Sequence, residues 1–156
     1  MVTRLSPDAR KVLACAAQEA RRRGDRRLGT DHLLLGLLCD PDSSATAALG
    51  VDLAAARAAS DSLDQAALAA VGVNVAHLGN PAPAGFSRRH VSLTSGARAV
   101  MTVAVGQTRR AKSPRIGSAE LLRALLAREL PDPAAELLTA LAVDRARVSS
   151  SLDGSN

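Results

Sequence analysis

The chain has 156 residues, with 20 Lys and Arg against 15 Asp and Glu and a formal net charge of +5. The calculated isoelectric point near 10.5 admits nucleic acid or acidic partners without selecting either. Phe86 is the only aromatic residue, so the core must come from Ala, Leu and Val; this favours close helix packing and excludes a sheet rich in β-branched and aromatic residues.

Ser6 caps a helix that starts at Pro7, where a missing N–H costs nothing. Ala9, Val12, Leu13, Ala16, Ala17 and Ala20 follow at helical spacing. Arg21, Arg22 and Arg23 suit the negative end of the helix dipole, and Gly24 stops the helix. Gly29-Thr30-Asp31 opens a second helix with Thr30 as its expected N-cap, and Leu33, Leu34, Leu37 and Leu38 form its apolar face. Pro41 ends it, a short helix covers 43–49, and Asp52 caps a fourth. Residues 53–71 read as helix. Ala48-Leu49-Gly50-Val51-Asp52-Leu53 is echoed by Ala70-Val71-Gly72-Val73-Asn74-Val75, which suggests an extra helix-turn element. Residues 80–85, rich in Pro, Ala and Gly, read as a linker. Thr94 caps the next helix, which runs to about Arg110, and Ser118 is the expected cap of another ending near Glu129. Pro133 starts the following helix and Asp144 caps a last short one. Residues 149–156 read as a frayed polar tail.

The pattern repeats. Leu5, Ala9, Arg10, Val12, Ala16, Arg21, Arg22, Arg27, Gly29, Leu33, Leu34, Leu37 and Leu38 return 88 positions later, from Leu93 to Leu126. After a four-residue insertion, Leu49, Val51 and Asp52 return as Leu141, Val143 and Asp144. The expectation is a tandem pair of helical units within 1–156: a first repeat over about 5–75, a linker over about 76–92 and a second repeat over about 93–152. Two units this small should share their packing.

Cys15 and Cys39 fall within helical patterns and are expected to be small buried apolar residues. No apolar leader precedes Arg4, and residues 33–39, the longest apolar run, cannot span a bilayer, so a soluble cytoplasmic protein without membrane contact is expected. There is no metal-ligand spacing and no Gly-x-Ser-x-Gly elbow, hence no expected metal, cofactor or catalytic residue. A lone His32 beside a Leu-rich face reads as a packed, hydrogen-bonded core residue.

The strings Ala9-Arg10-Lys11-Val12-Leu13, Leu49-Gly50-Val51-Asp52-Leu53 and the decamer from Gly29 to Leu38 resemble the N-terminal domain of Clp ATPases, especially the ClpC type. The decamer departs from the usual family string mainly by Asp31 in place of Glu. The resemblance implies an all-α, pseudo-twofold fold of two four-helix repeats joined by a central loop. It also implies a docking module that is not an enzyme. No Gly-x-x-x-x-Gly-Lys-Ser/Thr loop accompanies it, so a free-standing Clp N-domain protein is expected, acting as regulator, adaptor or decoy.

ClpC-type N domains recognise phosphoarginine, adaptor proteins and some cyclic peptide antibiotics. The resemblance therefore implies Clp ATPase or protease components, adaptors or arginine-phosphorylated clients as partners. It places phosphoarginine contacts at Leu28, Gly29, Thr30 and Asp31, where a helix N-terminus, a hydroxyl and a carboxylate would meet phosphate and guanidinium. A weaker second site falls on Ile116, Gly117 and Ser118, where Ala119 replaces the carboxylate and Glu120 comes one residue late. The family's aromatic antibiotic-binding positions correspond to Val2, Leu5, Val91 and Leu93, which leaves Val2, Leu5 and Leu93 as candidates for an apolar groove.

Two other readings compete. Arg21 to Arg23, Arg26 and Arg27 form a basic run echoed by Arg109, Arg110, Lys112 and Arg115, with a third patch at Arg88, Arg89 and His90. A basic nucleic-acid-associated helical protein is the alternative, but no aromatic residue is available to stack bases, and solvated helix ends explain the charge. A hydrolase lacks its nucleophile motif.

Overall fold

Ser6 accepts a hydrogen bond from the Ala9 N–H at 3.2 Å, and Pro7 begins α1 (Pro7–Arg23). Gly24 closes it at φ 77°, a left-handed conformation that glycine adopts without steric cost. In this computed structural model residues 5–73, 91–110 and 115–154 are described. The expected groove residue Val2, most of the linker and the patch at Arg88, Arg89 and His90 lie outside them, as does Lys112.

The chain continues through β1 (Arg27–Leu28), α2 (Thr30–Leu37), α3 (Ser44–Leu49), α4 (Leu53–Ala70), β2 (Ser92–Leu93), α5 (Ser95–Arg110), α6 (Ser118–Leu126), α7 (Pro133–Ala140) and α8 (Arg145–Asp153). Among the described residues this is an all-α fold in which α1–α4 and α5–α8 are two versions of one four-helix unit. None of these helices is long and apolar enough to cross a membrane.

Three local expectations need correction. No extra helix is inserted within 53–73; α4 runs unbroken for 18 residues where α8 has 9, and Gly72 repeats the left-handed turn of Gly50 at φ 82° and 67°. Residues 149–153 belong to α8 and are not a frayed tail, because Leu152, 6% exposed, anchors that end to the core. Thr30 and Ser118 are not N-caps. Gly29 and Gly117 occupy those positions in extended conformation, and the residue three places later closes each cap. Their hydroxyls are thereby free for other uses.

The core is the expected one. Leu33, Leu34, Leu37, Leu38, Leu121, Leu122, Leu125 and Leu126 are all buried. Close approach of α1 and α2 rests on Gly36, where a Cβ would lie 2.4 Å from the Val12 carbonyl oxygen and 3.0 Å from Ala16 Cβ. The second unit carries Ala124 at the equivalent position, also buried.

Each unit lends its entry residues to the other. Leu28 pairs in parallel with Leu93, and the Thr94 N–H donates to the Leu28 carbonyl at 3.0 Å. Symmetrically, Leu5 bridges to Ile116, and the Ser6 N–H donates to the Ile116 carbonyl at 2.9 Å. These contacts bring the start of α2 beside the start of α5, and the start of α6 beside the start of α1.

Candidate functional site

The start of α2 is held open by a histidine. The Gly29 N–H donates to His32 Nδ1 at 2.9 Å, and His32 Nε2 lies 3.0 Å from Asp25 Oδ2. Nδ1 must therefore carry the lone pair, and the Nε2 proton faces the Asp25 carboxylate. His32 is 3% exposed, the packed and hydrogen-bonded residue expected. The hydrogen bond from His32 holds Asp25 below the usual carboxylate range against the opposing effect of burial, with help from the Arg23 charge. With Gly29 lacking a side chain, the Thr30 and Asp31 N–H groups find no acceptor among the described residues. They leave the positive end of the helix dipole facing a cleft.

That cleft, about 700 Å³, lies between the two units. Arg26, Arg27 and Arg128 line it with positive charge, and Asp64, Asp132 and Glu136 with negative charge, while Gly96 forms part of the wall. Arg128 Nε pairs with Asp132 Oδ2 at 2.9 Å.

The expected site residues meet this cleft unequally. Gly29, Thr30 and Asp31 line it, whereas Leu28 is buried in β1 and does not. The Thr30 hydroxyl is committed: it donates to Asp132 Oδ1 at 2.7 Å and accepts from the Ala134 N–H at 3.2 Å, tying α2 to the cap of α7. At 1% exposure it does not offer the ligand the donor expected of it. Asp31 already holds a guanidinium, since Arg23 Nη1 lies 2.8 Å from its Oδ2 and also donates to Ser60 Oγ at 2.8 Å. Arg23 also pairs with Asp25 and Asp64. Burial raises the Asp64 carboxyl and the neighbouring carboxylates add to that, despite Arg23. Arg23 is therefore no solvated helix end; its side chain is only 14% exposed. Arg22 is likewise engaged, by Glu19 and Asp61.

The second unit keeps the buried residue and the glycine cap but fills the helix start differently. Ile116 is buried, and Gly117 donates its N–H to Glu120 Oε2 at 2.8 Å, so the late glutamate closes the cap and does not face a ligand. The Ser118 N–H donates to Asp8 Oδ2 at 2.9 Å, across 110 residues of sequence. Burial works to raise the Asp8 carboxyl, but hydrogen bonds from Ser6 and Ser118 bring it below its ordinary value.

Leu5 and Leu93 do not share a groove. Leu5 lines a separate concavity of about 310 Å³ with Pro7, Arg10 and Arg115, while Leu93 packs in β2 against the core. An apolar groove of about 370 Å³ exists elsewhere, between α1 and the end of α2, with Val12, Ala14, Leu37 and Pro41 in its walls. Cys15 and Cys39 also line it and are half-buried, which corrects their expected burial. Burial and the neighbouring Cys15 push the Cys39 thiol up to about 12.

Sequence reasoning missed Asp8, Glu19 and Asp132. Glu19, 2% exposed, takes Arg57 in a fork at 3.1 and 3.2 Å from Nε and Arg22 Nε at 3.0 Å. A signal existed: at the repeat offset of 88, Asp8 falls on Gly96 and Glu19 on Gln107, so the repeat breaks where these charges act.

The fold has solved counterparts. The N-terminal domain of the caseinolytic protease associated chaperone ClpD from Arabidopsis thaliana superposes with a TM-score of 0.71 at 19% identity, over 97% of this chain and 96% of that one. A structure from preliminary investigations of a malarial protein secretion system gives a TM-score of 0.68 at 16% identity, over 97% and 94%. These likenesses carry the fold alone. Residues 4–141 match the Clp repeat (R) N-terminal domain, and the chain belongs to that family.

Proposed function

We propose that this chain is a non-enzymatic docking module of the Clp protease system that takes phosphoarginine-bearing segments of clients or adaptors in the cleft at the start of α2. One observation carries the reading: the Thr30 and Asp31 N–H groups open, without acceptors among the described residues, into a cleft lined by charges of both signs. A phosphorylated guanidinium needs both. Its phosphoryl group suits a helix N-terminus beside Arg26, Arg27 and Arg128, and its guanidinium suits the carboxylate of Glu136, since Asp132 is already held by Thr30 and Arg128. The pairing of Arg23 with Asp31 supports the chemistry, because a guanidinium is already seated against this helix start. It also moves the ligand's carboxylate partner away from Asp31. Binding without catalysis makes the module a regulator, adaptor or decoy, according to what else it engages.

The nucleic-acid alternative loses support, because Arg22 and Arg23 are consumed by internal carboxylates. Calorimetric titration with phosphoarginine, against arginine and phosphoserine, tests the reading. Saturable heat with phosphoarginine alone, weakened at least tenfold in Arg128→Ala, is the expected result. No heat and no rise in melting temperature at millimolar ligand would overturn it.

A further inference from the structure

The two helix starts that face the other unit are built on one plan, each with a carboxylate nearby, but only at α6 does that carboxylate accept the first helical N–H. At α6 the Asp8 carboxylate, carried on the first turn of α1, accepts the Ser118 N–H at 2.9 Å and is also hydrogen-bonded by the Ser6 hydroxyl and the Ser118 side chain. At α2 the residue in the corresponding place is Gly96, on the first turn of α5. A Cβ built on Gly96 would lie 3.2 Å from Asp132 Oδ2 and 3.3 Å from Thr30 Cγ2, so position 96 borders the start of α2 as Asp8 borders the start of α6. The carboxylate beside it, Asp132, takes the Thr30 hydroxyl and leaves the Thr30 N–H open. A carboxylate on an N-terminal N–H supplies the charge and the acceptor oxygens that an oxyanion ligand would bring.

We propose that Asp8 is an internal anion that occupies the second unit's helix start and confines phosphoryl-group binding to the first unit. Asp8 is thus the residue that sets the stoichiometry at one. The inference rests on the proposed cleft function only for the identity of the ligand; the closure of α6 is a separate property and is read at a separate atom.

The test follows two backbone amides by nuclear magnetic resonance in the full chain, Thr30 for the first unit and Ser118 for the second, during titration with phosphoarginine and with inorganic phosphate. In the unaltered protein the Ser118 amide stays still. In Asp8→Gly, which places at position 8 the residue the other unit has at 96, it shifts and saturates, and the binding stoichiometry rises from one to two. Asp8→Ala serves as the second variant, since it removes the carboxylate while keeping a good helix former in the first turn. Superposable spectra away from position 8 establish that each variant is folded. A Ser118 amide that responds equally with and without Asp8, or that stays still in both folded variants, overturns the proposal. A silent Thr30 amide with a responsive Ser118 in the variants would instead sink the cleft function and leave the role of Asp8 standing.

Discussion

The two units share a core and differ in their charges. Leu34 and Leu122 occupy equivalent places and are both fully buried, as are Ala16 and Ala104. Around that common frame the first unit is laced with ion pairs: Arg23 gathers Asp25, Asp31 and Asp64, and Glu19 gathers Arg22 and Arg57. In the second unit Ala119 stands for Asp31, and Gln107 stands for Glu19 with its Oε1 buried and unpartnered among the described residues. A duplicated scaffold therefore holds its apolar pattern under much tighter constraint than its polar one. Burying a leucine elsewhere requires the whole helix to turn, whereas an ion network can be lost one side chain at a time.

The comparison can be broken most severely through the shared part. Leu34→Ala and Leu122→Ala should each cost about 2–5 kcal/mol in urea unfolding. If one of the pair costs under about 0.5 kcal/mol, the two cores are not equivalent.

The polar difference should appear at smaller scale. Arg57→Ala leaves the buried Glu19 with Arg22 alone and should cost about 1–3 kcal/mol at pH 7. Burial alone would raise the Glu19 carboxyl, but its arginine partners bring it below its ordinary value of 4.5. A depressed carboxyl contributes stability in full above pH 4.5 and loses it as pH falls through the folded value. The deficit of Arg57→Ala should therefore shrink in acid. A deficit that is the same at pH 3 and pH 7 would show that Arg57 acts by packing and not by charge.

The smallest effect is a backbone one. Gly50 and Ala142 occupy equivalent turns, and Ala142 takes φ 52°, where a Cβ is strained. Ala142→Gly should stabilise the chain by about 0.5–1 kcal/mol; a loss of stability would mean that the second turn gains more from its methyl group than it pays in strain.

Much of the fold was legible because it is written in periodicity and punctuation. The Leu33–Leu38 and Leu121–Leu126 faces, the caps at Ser6, Asp52, Thr94 and Asp144, and the prolines at 7 and 133 all act locally, and local signals survive without knowledge of the tertiary fold. The candidate site was legible only as an address. The resemblance points to Gly29-Thr30-Asp31, which line the cleft, but that Thr30 is spent on Asp132, 102 residues away, cannot be read from it. Hydroxyls and carboxylates have several possible partners, and the choice among them is made by whichever element the other unit brings near.

The exchanged entry strands carry one more consequence. Leu5 pairs with Ile116 and Leu28 with Leu93, so each unit's backbone edge is completed by the other. A single unit made alone would expose both edges at once. The partner able to satisfy both is a second copy of the same unit, related by a twofold axis, in which every contact occurs twice. The linked chain is the covalent form of such a self-pairing dimer. Joining the halves frees each from symmetry: a substitution in one no longer appears in the other, and an aspartate can stand at position 8 while a glycine stands at 96.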